Sequence, residues 1–119
     1  LNITDFHSLT GHPRVGASWE GFALEQVLQM LRPPQPFFWA SHGGAEVDLF
    51  LHHRGRRYAM EFKFSESPRI AKSTHVALET LKLDHLWVIY PGHHAYPVNE
   101  KISVWPLGDI ESLANQLKG

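Results

Sequence analysis

The sequence predicts an α/β domain built on a mixed sheet with helices on both sides. Two observations carry this. Residues Ala45 to Leu51 and Tyr58 to Phe64 alternate apolar and polar around a Gly-containing turn, the pattern of an antiparallel hairpin. A helical stretch from Arg69 to Leu83 then leads into the apolar run Leu86-Trp87-Val88-Ile89-Tyr90, which reads as a strand buried on both faces. A hairpin followed by a crossover helix and a buried strand implies strands of both directions in one sheet.

In chain order, residues 1–14 are a lead-in that closes on the turn signal Gly11-His12-Pro13. A helix runs from about Gly16 to Leu31 and is stopped by Arg32-Pro33-Pro34. At about 100° per residue, Trp19, Ala23, Leu24, Val27, Met30 and Leu31 form its apolar face, with Glu25, Gln26 and Gln29 opposite. Glu20 falls inside the apolar face. A carboxylate there is costly unless paired, protonated or bound to a cation. Two readings stand: a rim residue meeting a base such as Lys63, or part of a binding site.

Phe37-Phe38-Trp39-Ala40 reads as a short strand, ended by Ser41-His42-Gly43-Gly44. In the hairpin, a turn centred on Arg54-Gly55 pairs Leu49 with Met60, Leu51 with Tyr58 and Val47 with Phe62. The same register sets Asp48 opposite Glu61 and Glu46 opposite Lys63, and a one-residue slip would scramble both faces. Like charges directly opposed on a sheet destabilise it, so Asp48 against Glu61 calls for a positive charge between them.

Ser65 to Pro68 is a loop, and the second helix carries Ile70, Ala71, Thr74, Ala77, Leu78 and Leu81 on one side. Pro91 to Lys101 is polar and turn-rich. Ile102 to Trp105 reads as a last strand, and Asp109 as the cap of a closing helix with Ile110, Leu113, Ala114 and Leu117.

A chain of 119 residues, 43% hydrophobic and 19% charged, has the makings of one globular domain with a core. No apolar run approaches the roughly 20 residues that span a bilayer, and Leu1 to Asp5 lack the basic start of a signal peptide. The absence of Cys removes disulfides and thiolate metal sites and agrees with a cytoplasmic location. A net charge of −1 gives no global attraction to nucleic acid. Contacts to DNA would rest on Arg54, Arg56 and Arg57 at the hairpin tip and on Arg69 with Lys72. Each of these patches also reads as a solvated turn or helix end. The start at Leu1 rather than Met leads one to expect a processed product or a domain cut from a larger chain.

Glu20, Asp48 and Glu61 with Lys63 make an oxygen-ligand set for a hard cation, and Mg²⁺ is commonly held by one or two carboxylates while keeping several waters. A lysine beside such an ion orients the attacking water or offsets charge developing on a phosphate. The nine His residues include adjacent pairs, His52-His53 and His93-His94, which point to opposite faces of a strand. None has the helical spacing of a zinc protease. His42 and His52 lie nearest the acidic hairpin in sequence.

An Asp on one strand, Glu-x-Lys on the next and a Glu on the preceding helix resemble the PD-(D/E)XK nuclease-like superfamily. The resemblance implies a restriction-endonuclease-like core, α-β-β-β-α-β with a further strand and helix. It implies Mg²⁺ or Mn²⁺ held by Asp48, Glu61 and the Phe62 backbone carbonyl, with Glu20 completing the site and Lys63 assisting the water. Lys72 or Arg69 would be the base near the phosphate. Val47 stands where the superfamily name has Pro.

A longer match runs through Gly16-x-x-x-Glu20-Gly21-Phe22, then Phe38-Trp39-x-x-x-Gly43-Gly44-x-Glu46-Val47-Asp48, then Met60-Glu61-Phe62-Lys63 and Tyr90-Pro91-Gly92. It is similar to the C-terminal domain of unknown function in a bacterial and archaeal family of AAA-type ATPases. By that resemblance residues 1–119 are one nuclease-like domain of a larger ATPase, acting on DNA beside an N-terminal ATPase part. There is no Gly-x-x-x-x-Gly-Lys-Ser/Thr loop, so no ATP site is expected in these residues. Two rivals remain: a non-catalytic module that binds nucleic acid or protein and regulates the ATPase, and a surface ion pair of Glu46 with Lys63, worth about 0–1 kcal/mol.

Overall fold

The computed structural model describes residues 15–31 and 47–118. The expected strand at Phe37 to Ala40, the lead-in, His42 and Glu46 lie outside the described residues. Helix α1 spans Val15–Leu31, and strands β1 (Leu49–His53) and β2 (Arg56–Phe62) follow. Helix α2 (Lys72–Thr80) leads to β3 (His85–Tyr90), β4 (Tyr96–Pro97) and β5 (Ile102–Pro106). A 3₁₀ turn at Leu107–Asp109 opens helix α3, Ile110–Lys118.

The hairpin takes the register that its alternation dictates, with Leu49 opposite Met60 and Leu51 opposite Tyr58. Its turn is Arg54-Gly55, with φ of 54° and 77°. Positive φ at both central residues is the geometry whose twist matches that of paired strands. Strands β2, β3 and β5 run parallel, and β1 and β4 are antiparallel flanks, in the order β1-β2-β3-β5-β4 among the described residues. The mixed α/β sheet flanked by helices is therefore as the sequence predicts.

Alternation sorts the core into two layers. Leu49 and Leu51 of β1, Met60 and Phe62 of β2, and Trp87 and Ile89 of β3 face Ala23, Val27, Leu31, Leu113 and Ala114 from α1 and α3. Ala59, Leu86, Val88, Ile102 and Val104 face the other way, toward Ala77 of α2. Strand β3 contributes to both layers, which is why its sequence is apolar without a break.

Helix α2 is shorter than its apolar spacing predicts. It ends in a Schellman turn, with Leu83 N–H on the Leu78 carbonyl (3.0 Å) and Lys82 N–H on that of Glu79 (3.3 Å). Lys82 takes the left-handed conformation at φ 53°, so Leu83 leaves the helix and folds back into the α2 layer. Strand β4, within a stretch read as turn-rich, is the other departure. Asn99 Oδ1 accepts the N–H groups of Lys101 and Ile102 (2.8 and 2.9 Å), turning the chain so that Tyr96 and Pro97 lie along β5.

Beyond β3, the buried Tyr90 ring anchors the loop that follows. Its hydroxyl donates to the His94 carbonyl (2.8 Å) and accepts the His94 N–H (3.1 Å). Gly92 lies so close that a methyl group would be driven into the ring. Because Tyr90 is held at both ends, Gly92→Ala should destabilise the fold by about 1–3 kcal/mol, read from a urea midpoint, whereas Gly108→Ala meets no atom and should cost far less.

Candidate functional site

The ladder between β1 and β2 stops at Asp48, and a side chain takes over. Asp48 N–H donates to the Met60 carbonyl (3.0 Å), one residue out of step with the register of β1. Asp48 Oδ2 in turn accepts the Phe62 N–H at 2.8 Å. This break corrects the predicted alternation. Val47 does not join Leu49 and Leu51 but packs in the α2 layer with Ala59 and Val88. The expected strands, Ala45 to Leu51 and Tyr58 to Phe64, are accordingly shortened at this end.

Glu61 is buried, only 6% exposed. Its face is covered by α2, where the fully buried Thr74 hydroxyl lies 2.9 Å from both carboxylate oxygens and donates between them. Lys63 N–H continues the parallel pairing to the Ile89 carbonyl (2.9 Å), so β2 stays anchored to β3 where it has left β1. Glu20 departs from the wheel reading as well. It is exposed rather than within the buried stripe Ala23, Val27 and Leu31.

These residues nonetheless meet. Glu20, Asp48, Glu61, Phe62 and Lys63 border one cavity of about 190 Å³, walled also by Val47 and Ser73. Partial burial of the Glu20 carboxyl, and then the nearby Asp48 charge, raises its pKa above the ordinary carboxylate value. A hydrogen bond from the Phe64 backbone and the Lys63 ammonium act in the opposite sense and do not cancel the rise. The acids are therefore close enough to repel, with a cation at their edge.

Other residues singled out by the sequence lie elsewhere. Arg54, Arg56, Arg57 and His52 sit toward the hairpin tip, roughly 13–20 Å from Asp48 at strand rise. Arg57 is occupied there, donating to the Leu81 carbonyl (3.0 Å) and, through its N–H, to Asp84 Oδ2 (2.8 Å). Arg69 and Lys72 are exposed and outside the cavity wall, which Ser73 enters from the first turn of α2. A larger open groove of about 760 Å³ occupies the opposite end of the parallel strands, between His75, Glu79, Lys82, Asp84 and Lys101. Its walls carry interspersed exposed charges of both signs and no buried carboxylate, so size does not locate the chemistry.

Residues 15–110 match the family model described as Domain of unknown function (DUF4143). The chain belongs to this family. Over 110 residues the DUF4143 domain is 38% identical to the uncharacterized protein Mb2031c of Mycobacterium bovis, and equally to Rv2008c of Mycobacterium tuberculosis. The match covers 92% of the chain and 25% of each relative, so the chain spans about a quarter of the curated relatives it matches. No solved structure matches it.

Thr74 and Ser73 are the site residues that sequence reasoning overlooks in this DUF4143 domain. The available signal was a hydroxyl inside the apolar stripe of α2, where a buried oxygen needs a partner. Thr74→Val should cost about 1–3 kcal/mol, since the buried Glu61 carboxylate loses a donor, while Thr74→Ser should cost less, both read by urea unfolding. Glu20 generates a pH prediction. A glutamate with a raised folded pKa adds stability that is complete below its unfolded pKa and is lost as pH rises through its folded value. Glu20→Gln should therefore raise the melting temperature at about pH 7 relative to its effect at about pH 4, and an equal effect at both would refute the electrostatic origin.

Proposed function

We propose that this domain is a Mg²⁺- or Mn²⁺-dependent phosphodiester hydrolase acting on DNA, of the PD-(D/E)XK type with a restriction-endonuclease-like core. The observation that carries the reading is the convergence of Glu20, Asp48, Glu61 and Lys63 on one small cavity at the carboxyl end of β2. In open α/β sheets, crevices at the carboxyl ends of strands are the usual ligand sites.

Among the described residues, no group of three or more His, Cys, Asp or Glu side chains could hold a metal ion, which leaves the Asp48 and Glu61 pair as the donor set. That donor set does not suit zinc in a closed cage. It does suit a hydrated Mg²⁺, for which one or two carboxylates suffice. Asp48 and Glu61 would hold the ion with the Phe62 carbonyl, and Glu20 would border it from the cavity wall. When bound, the ion supplies Lewis acidity toward a phosphate oxygen.

The chain's own groups divide the remaining work. Thr74 fixes the Glu61 carboxylate, and the Phe62 N–H fixes that of Asp48, so neither has to be ordered when substrate arrives. Lys63 orients the attacking water and offsets negative charge on the phosphate. Arg69 and Lys72, exposed and near Ser73 in the chain, would meet the flanking DNA backbone. An AAA-type ATPase part would lie in the portion of the parent outside this domain, and a cytoplasmic location would suit the DNA substrate.

The sparse ligand set favours one rival specifically, a non-catalytic module that binds nucleic acid or protein and regulates the ATPase. Incubation of the protein with plasmid and branched DNA in Mg²⁺ or Mn²⁺ separates the two. Cleavage is expected, lowered by about a hundredfold or more in Asp48→Ala and in Lys63→Ala, with calorimetric Mg²⁺ binding lost in Asp48→Ala alone. No cleavage under either metal, with DNA binding retained, would leave the regulatory module standing.

A further inference from the structure

We propose that Phe64, backed by Trp19, is a stacking platform for an unpaired nucleobase, which makes single-stranded segments the preferred substrate of this site. The inference rests on the hydrolase reading for where the phosphate lies. Phe64 follows Lys63 by a single residue after the end of β2, and it is 44% exposed although aromatic. Its ring is held from within the fold. The Trp19 ring lies against it at 5.8 Å between centroids and 43° between planes, and Trp19 itself packs on the α1 layer.

The platform is joined to the cavity through the backbone. The Phe64 backbone lies near enough to the Glu20 carboxylate to help lower its pKa, and Glu20 lines the cavity. An aromatic surface thus starts where the acidic pocket ends, on residues adjacent to Glu20 and Lys63 in the chain. Phe22, 49% exposed, lies three residues beyond Trp19 along α1.

Within a duplex every base face is already stacked, so such a surface has nothing to receive. An unpaired base offers a free face, and base–aromatic stacking tolerates any sequence. The net charge of −1 favours the same choice, because duplex binding without base contacts relies on many phosphate contacts to a basic surface.

Binding of a fluorescein-labelled oligothymidylate and of a blunt duplex of equal length, read by anisotropy in Ca²⁺, tests the proposal on the whole protein. Wild type should prefer the single strand. Phe64→Ala should weaken that binding about tenfold (about 1.4 kcal/mol) and leave the duplex within about twofold. Phe64→Leu should be as weak as Ala, and Phe64→Trp should retain affinity. Equal loss on both DNA forms, no loss, rescue by Leu, or a wild-type preference for duplex would each overturn it. The last three would mark the patch as a seat for another protein segment. Binding and cleavage are separate readouts. Phe64-dependent single-strand preference without cleavage defeats only the hydrolase reading, and cleavage indifferent to Phe64 defeats only the platform.

Discussion

One hydrogen bond organises this end of the molecule: Phe62 N–H to the carboxylate of Asp48. A buried N–H must be paired, and in an uninterrupted hairpin a carbonyl of β1 would serve. Using a side chain instead releases the backbone of β1 one residue early, and several consequences follow. Val47 is turned into the α2 layer. Asp48 is left exposed at the mouth of a gap that opens between the strand ends, while β2 is still held by β3. Glu61 and Lys63, next along β2, then line the gap rather than a continuous sheet. Without the break there would be two acids on a flat surface and no cavity.

The acids are held in place by different means, and their exposure differs accordingly. Glu61 is buried and bonded by a buried hydroxyl. Asp48 is exposed and bonded by backbone. Glu20 arrives from a helix on the opposite side of the sheet from α2, and its pKa is displaced upward, by partial burial and by Asp48. Gathering three carboxylates around one space opposes folding through their mutual repulsion, with Lys63 as partial relief. Such arrangements persist where a binding site gains from them.

Much of the fold was legible because alternation has no slack. With Leu49 against Met60 and Leu51 against Tyr58, the pairs from there to the turn follow, and β3 announced its double burial by an unbroken apolar run. That Glu20, Asp48, Glu61 and Lys63 border one cavity was expected from the superfamily resemblance rather than from the strand pattern. What the sequence concealed was non-periodic. The offset at Asp48 leaves no trace in a pattern of twos, so Val47 was assigned to the wrong face. Burial of Glu61 depends on where α2 crosses, which no local pattern encodes. The Schellman turn at Lys82 lacks the glycine that would have advertised it. Strand β4 owes its existence to the side chain of Asn99 rather than to any strand-like run.

The modest size of β4 bears on how the protein behaves among copies of itself. A sheet edge offers free N–H and C=O groups that recruit further strands, and long flat edges seed fibres. Among the described residues, the outermost strand on that side is two residues long, and one of them is Pro97, which has no N–H to offer. Tyr96 and Val98 are exposed beside it, yet the backbone under them presents almost no ladder to extend. On this flank the architecture ends in a blunt stop, so crowding there can bring side chains into contact without templating another strand.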